Sequence, residues 1–293
     1  RSGEGWYGVA WYPVEQGQWC RIRLPLGEFY VDRPGGGWGQ ISTIRFSPWA
    51  GLREDAVLYI ANLGFERSPV AAALVTAAYR DRDGKPVDAG RWAENVTSLL
   101  DRAGCALATI STSDLSAERL ANLKLLVLPF VAGMPQEETR VVTEWVRGGG
   151  KLLACYLVPD PLGELLGVRQ KSYRAAQLPG QFSSMRFEGE PPHGAPVQVL
   201  QGSWGIIDAE AVAGVGEVAA WWYDAAGVRT DAPAIILSER GAWISHVLLN
   251  DDPAAKGRLL VALIDRFAPG AAAHVAARRI AQMGQSMQVE DWE

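Results

Sequence analysis

The segment KLLVLPFVAGMPQEETRVVTEWVRGGGKLLACYL, residues 124–157, decides the fold. Two short apolar runs, residues 124–130 and 151–157, flank a stretch that starts at Pro135 and ends in three glycines. That stretch has two glutamates in its first turn and an arginine in its last, which predicts a helix with Pro135 at its first position. A strand, a helix and a second strand in this order predict parallel strands joined by a right-handed crossover.

The same alternation continues towards the amino terminus. Residues 91–104, RWAENVTSLLDRAG, have apolar side chains at helical spacing and end at Gly104, so we expect a helix that Gly104 terminates. CALATI, residues 105–110, follows as a short buried strand, and Ser116 is the expected N-cap of the next helix. Residues 70–79, VAAALVTAAY, fit a strand and a helix equally well.

Towards the carboxyl terminus, residues 171–250 are β-rich. Asp252 and Pro253 then predict the start of a helix over DDPAAKGRLLVALIDRF, with Asp252 as its N-cap. The prediction for this region is an α/β fold with a mostly parallel sheet flanked by helices, of the flavodoxin-like kind. Three regions are expected: a β-sandwich portion over 1–68, the α/β domain over 69–269, and a helical connector over 270–293.

The composition excludes several classes of protein. The chain has 293 residues, 48% of them hydrophobic, and a net charge of −5. No basic stripe with interleaved aromatic residues is present and no apolar run is long enough to span a membrane, so neither nucleic acid nor membrane is an expected partner. Three cysteines without CxxC spacing predict neither a disulfide framework nor a zinc site, and we expect no cofactor and no metal.

Tryptophan is unusually frequent, with 12 residues. In WYGVAWYP, an extended strand would place Trp6 and Tyr12 on one face and Tyr7 and Trp11 on the other. One reading is that these rings pack in a β-sandwich, because indole rings bury a large area. The other reading is a platform on which sugar rings stack, and it makes these four residues the candidate carbohydrate-binding site.

Several phrases resemble a known family: LDRAG (100–104), SDLSAERLANLKLLVLPF (113–130), WVRGGGKLLACY (145–156) and WISHVLLNDDPAAKGRLLVAL (243–263). Together they resemble the class-I glutamine-amidotransferase-like domain of the β-galactosidase-trimerisation type, as found in uncharacterised bacterial glycosyl-hydrolase-like proteins. The match covers about residues 90–268. The stretch 30–49, YVDRPGGGWGQISTIRFSPW, also resembles the end of a jelly-roll, carbohydrate-binding-like module.

The resemblance gives two residues a possible catalytic role. Active members have a cysteine nucleophile in a G-x-C-x-G turn and a histidine base in a later H-x-E. Cys155 and His246 stand at those places, but Leu153 and Leu157 replace the glycines and Leu248 replaces the glutamate. Without them the strained turn and the support of the imidazole are lost, so a buried cysteine and a packed histidine are the structural alternative.

The expected function is therefore that of a non-catalytic accessory region of a larger carbohydrate-active, glycosyl-hydrolase-like protein, serving assembly, domain positioning or glycan binding. The alternative is a thiol-dependent hydrolase or amidotransferase that uses Cys155 and His246. Expected partners are a glycan and either a missing catalytic domain or a second copy of the chain, because both ends of the sequence look open. The resemblance favours a periplasmic or extracellular location.

Overall fold

A computed structural model describes residues 6–9, 30–32, 43–46, 59–61, 70–76, 79–80, 86–87 and 89–287. The chain divides into two compact units, residues 1–67 with 291–293, and residues 68–290. In the first unit, strands β1 (Trp6–Gly8) and β2 (Tyr30–Asp32) pair antiparallel. Most of the expected sandwich over 1–68 lies outside the described residues, and it stays a prediction.

The second unit contains the other strands and all the helices described below. Its strands are β3 (Ala72–Thr76), β4 (Tyr79–Arg80), β5 (Pro86–Val87), β6 (Ala108–Ser111), β7 (Leu125–Leu128), β8 (Lys151–Cys155), β9 (Val168–Ala175), β10 (Phe182–Phe187), β11 (Gln198–Ser203), β12 (Gly205–Ala211), β13 (Gly216–Tyr223), β14 (Arg229–Ser238) and β15 (Gly241–Ile244). Its helices are α1 (Gly90–Ala103), α2 (Ala117–Leu120), α3 (Gln136–Arg147), α4 (Asp160–Leu165), α5 (Pro253–Phe267) and α6 (Ala271–Met287).

Nine of the described strands form one mixed sheet in the order β11-β10-β13-β14-β15-β8-β7-β3-β6. The strands from β15 to β6 are parallel to their neighbours, and those from β11 to β15 pair antiparallel. The predicted α/β fold is confirmed, with CALATI, KLLVLPF and KLLACYL contributing β6, β7 and β8. The ambiguous run 70–79 contributes β3, which is buried between β7 and the edge strand β6. The β-rich stretch 171–250 extends the same sheet through β10, β11, β13 and β14.

Helices cover both faces of the sheet. On one face, α1, α5 and α6 bury apolar side chains such as Val96, Leu263 and Val275. On the other face, α2, α3 and α4 and the paired strands β9 and β12 bury side chains such as Val142 and Leu162. The apolar periodicity of α1 and α3 is thus explained by one buried face in each helix.

Most of the helix ends predicted from capping residues are confirmed. Gly104 ends α1 with φ +84°, and the Ser116 hydroxyl accepts a hydrogen bond from Arg119 N at 3.3 Å at the start of α2. Pro135 is the N-cap residue of α3 rather than its first helical residue. Gly150, the last of the three glycines, is required because the indole of Trp145 fills the space that a β-carbon would take.

Candidate functional site

The backbone turns sharply directly after β8, at Tyr156. Tyr156 has φ +63° and, with Asp252, is one of two non-glycine residues with positive φ among those the structure describes. This conformation costs a bulky residue about 1–3 kcal/mol. Two hydrogen bonds hold it: Tyr156 N donates to Ile244 O at 2.8 Å, and Trp243 Nε1 donates to Tyr156 O at 2.7 Å. The strained turn therefore presents the phenol of Tyr156 at the carboxyl edge of the sheet.

Cys155 precedes this turn as the last residue of β8. Its side chain is fully buried in the core beneath α1 and α5. Burial raises the pKa of the Cys155 thiol to about 12, so the thiol stays protonated at neutral pH. The Cys155 thiol packs in the core as an apolar side chain would, and the residue with the strained, left-handed backbone conformation is Tyr156.

His246 follows β15 at the same edge of the sheet and is buried. Its imidazole meets the ring of Tyr156 edge-on, with ring centres 6.0 Å apart, and that of Trp204 at 4.8 Å. Tyr156 stacks in turn on Phe130, which follows β7, with ring centres 5.6 Å apart. The ends of three adjacent parallel strands thus bring Phe130, Tyr156 and His246 into one aromatic cluster.

Two groups face the Nδ1 atom of the His246 ring. Val247 O lies 2.8 Å from it and can only accept, and Gln201 Nε2 lies 3.1 Å from it and can only donate, so either neutral tautomer keeps one hydrogen bond at Nδ1. Gln201 frames the same side of the ring, because its Nε2 donates to Val247 O at 3.0 Å and its Oε1 accepts from Leu249 N at 3.2 Å. Burial, with a smaller contribution from the positive charge of Lys256, lowers the pKa of His246 to about 4. His246 is therefore neutral at pH 7.

An ion pair between the buried Lys256 and the exposed Asp251 anchors the loop that carries His246. Lys256 Nζ, whose side chain is fully buried, contacts Asp251 Oδ1 and donates to Leu249 O at 2.9 Å. Asp251 Oδ2 accepts from Gly202 N at 2.8 Å, which ties the loop to β11. Burial lowers the pKa of Lys256 and the Asp251 carboxylate opposes this, as expected for a desolvated ammonium with one anion.

The predicted helix cap at Asp252 is corrected by this arrangement. Asp252 stands at the N-cap position of α5 and Pro253 opens the helix, but the Asp252 side chain makes no capping hydrogen bond. Its Oδ2 instead accepts from Leu200 N at 2.9 Å, across on β11. A backbone N–H about fifty residues away in sequence thus takes the place of the N–H groups of the helix as the partner of this carboxylate.

An aromatic surface, which we call the Trp204 rim, borders the His246 cluster. Trp204 lies between β11 and β12 and is 54% exposed. Trp92 on α1 lies 6.5 Å from it between ring centres. Tyr173, 49% exposed on β9, has its hydroxyl against the α-carbon of Gly205. Sequence reasoning missed these three residues, because they come from segments more than thirty residues apart.

Two of the four N-terminal aromatic residues expected to bind carbohydrate lie within the described residues. Trp6 and Tyr7 lie in β1, where Trp6 is partly buried. Trp11 and Tyr12 lie outside the described residues. The predicted platform of these four residues stays a prediction.

Within the described ranges, no group of three or more His, Cys, Asp or Glu side chains is placed to hold a metal ion. In the same ranges, every helix is too short or too polar to cross a bilayer. His193 is an exposed residue, and His274 is partly buried on α6.

Comparison with solved structures identifies the fold. A β-galactosidase from Rahnella sp. R3 matches 68% of this chain and 31% of its own length, with 16% identity and a TM-score of 0.50. An α-L-fucosidase isoenzyme 2 from Paenibacillus thiaminolyticus matches 68% of this chain and 33% of its own length, with 15% identity and a TM-score of 0.50. A ThuA-like protein from Bacteroides uniformis matches over 93% of its length with a TM-score of 0.49.

No family model matches the sequence. No curated protein matches it either. The chain spans about a third of the length of the β-galactosidase and the α-L-fucosidase. About two thirds of this chain therefore shares its fold with one part of each of these two enzymes.

Proposed function

We propose that this chain is a non-catalytic accessory region of a larger carbohydrate-active protein, and that its α/β unit corresponds to the β-galactosidase-trimerisation type of amidotransferase-like domain. Its role is to position or assemble a catalytic domain, or to hold glycan beside it. The proposal is supported by the shared fold, which occupies about a third of the β-galactosidase and the α-L-fucosidase. It also agrees with the family phrases of the sequence between residues 100 and 263.

The observation that carries the proposal is the side chain at the turn after β8. Tyr156 occupies the strained position, and its ring packs on Phe130. Cys155 lies behind it in the core with a protonated thiol. A thiol nucleophile needs a thiolate that substrate can reach, and burial in apolar surroundings opposes both conditions. The same arrangement weighs against the alternative of a thiol-dependent hydrolase or amidotransferase that uses Cys155 with His246.

The test is alkylation of the native chain with iodoacetamide at neutral pH, with Cys155 followed by peptide mass spectrometry. A thiol with a pKa of about 12 has about a thousandfold less thiolate than an ordinary cysteine, so we expect modification slower by at least that factor. The same chain unfolded in urea is the control, because there Cys155 should react as a free thiol.

A turnover assay completes the test. The wild-type chain and C155A are compared on nitrophenyl glycosides and on glutamine. We expect equal background signals from both, because no thiol chemistry is available. Rapid alkylation of native Cys155, together with turnover that C155A abolishes, would overturn the proposal in favour of the thiol-dependent enzyme.

A further inference from the structure

Trp204 is an exposed indole that is held in place. It stands at the corner between β11 and β12, where its carbonyl oxygen accepts a hydrogen bond from Ala176 N at 2.9 Å. Its ring is fixed from two sides by His246 and Trp92. Leaving half of an indole in water forgoes about 1–2 kcal/mol of burial. A large ring that is both exposed and fixed is organised for contact with something outside the fold.

Hydroxyl groups lie beside this ring. The Tyr173 hydroxyl rests against Gly205, the residue that follows Trp204, and a β-carbon at Gly205 would displace it. Tyr156 reaches the same cluster through His246, whose ring it meets edge-on with ring centres 6.0 Å apart. The rim therefore combines an apolar ring face with phenol groups that both donate and accept hydrogen bonds.

The cations near the rim are held by other groups of the chain. The Arg91 guanidinium lies over the Trp92 ring at 5.3 Å, and Lys171, on the strand of Tyr173, pairs with Glu210 at 2.6 Å. Lys256 is buried and paired with Asp251. Binding of phosphate or nucleic acid relies on several accessible Arg or Lys side chains. A neutral ligand with an apolar face and a hydroxylated edge fits these residues better, and a pyranose ring has that chemistry.

From this arrangement we propose that the Trp204 rim is a binding site for the pyranose ring of a neutral oligosaccharide, with Trp204 as the stacking platform and Tyr173 and Tyr156 as hydrogen-bonding partners. The proposal rests on the proposed function in assuming a carbohydrate context. It places glycan contact in the α/β unit, whereas the sequence predicts glycan contact at the N-terminal residues Trp6, Tyr7, Trp11 and Tyr12 rather than in the α/β domain.

Titration of the full chain with lactose, cellotetraose and maltotetraose, followed by isothermal calorimetry and tryptophan fluorescence, tests the site. We expect saturable binding of at least one sugar in the millimolar range. W204A should weaken it about five- to tenfold, as for loss of one aromatic stacking contact, and W204F should restore part of it. W221A is the matched control, because the Trp221 ring is partly buried and packs against the Arg229 guanidinium at 4.9 Å instead.

Absence of binding by all three sugars at tens of millimolar would overturn the proposal, as would binding that W204A leaves unchanged or that W204A and W221A weaken equally. Circular dichroism of each variant shows that a loss of binding is not a loss of fold. These outcomes are separate from the proposed function. Rapid alkylation of Cys155 would refute the non-catalytic role without touching the sugar result, and failure to bind sugar would leave the unreactive Cys155 in place.

Discussion

His246 should make the stability of the α/β unit depend on pH. Its pKa is about 4 in the folded chain, against 6.5 for an ordinary histidine, mainly because it is buried. Between pH 4 and pH 6.5 the His246 imidazole is protonated in the unfolded chain and neutral in the folded chain. The free energy of unfolding therefore falls as pH is lowered. The stabilisation is complete above about pH 6.5 and lost near pH 4. The whole difference corresponds to about 3.5 kcal/mol, at about 1.4 kcal/mol per pKa unit, and about 3 kcal/mol of it is lost by pH 4.

The measurement is urea unfolding of the wild-type chain and of H246N at pH values across this window. Asparagine keeps a side-chain N–H that can donate to Val247 O and removes the titrating group. Carboxylates also titrate at the lower end, and subtraction of the H246N curve removes their contribution. H193N is the matched control, since His193 is exposed and its replacement should leave the wild-type pH dependence intact.

The wild-type curve should fall below that of H246N by about 3 kcal/mol more at pH 4 than at pH 7. Parallel curves for the two proteins would refute the reasoning, because they would mean that His246 accepts its proton as easily in the folded chain as in the unfolded chain. A loss of the pH dependence in H193N would mean that His193, and not His246, causes it, and would also refute the reasoning.

Three further predictions concern stability, each measured by urea unfolding at pH 7. D251A should cost about 2 kcal/mol and more than K256M, because it leaves the buried ammonium of Lys256 without its anion, while the exposure of Asp251 keeps the cost below that of a fully buried pair; the reverse order would contradict this reasoning. G150A should cost about 2 kcal/mol or more, because a β-carbon there overlaps the Trp145 ring, and a change below about 0.5 kcal/mol would show that the indole moves aside freely. Y156F should change stability by less than about 0.5 kcal/mol while Y156A costs about 2–4 kcal/mol, since the Tyr156 side chain stabilises the fold through the packing of its ring on Phe130 rather than through its hydroxyl, and equal losses would refute this.

Local sequence patterns were sufficient for the parallel half of the sheet. The helix over 136–147 and the strands on either side of it follow from apolar spacing, capping and glycine placement, all of which act within a few residues. The sequence at the turn after β8 was less informative, because no pattern signals that Tyr156 takes a left-handed conformation. Tertiary hydrogen bonds from Trp243 and to Ile244 hold it there.

The Trp204 rim and the Lys256–Asp251 ion pair could not be predicted from the sequence either, because tertiary packing brings their residues together. Lys256 lies within a helical run, where its burial depends on packing against the loop before α5 and not on local spacing. In the sequence, Asp251 and Asp252 have the pattern of a helix cap, but in the folded chain both carboxylates accept hydrogen bonds from the backbone of β11. Trp92, Tyr173 and Trp204 meet only because α1, β9 and the β11–β12 corner converge at one edge, and that convergence is a property of the sheet order.

The position of β15 has a consequence for how the protein is made. This strand is parallel to β8 on one side and antiparallel to β14 on the other, so it joins the two halves of the sheet. Its contact with β8 spans 87 residues, from Trp243 to Tyr156. During synthesis, the edge of β8 that pairs with β15 therefore stays unpaired until β15, the last strand of the sheet in sequence, leaves the ribosome. Chains that end before residue 241 keep this edge exposed. We expect such chains to associate with chaperones or with one another, and only chains long enough to supply α5 as well can cover the adjoining core.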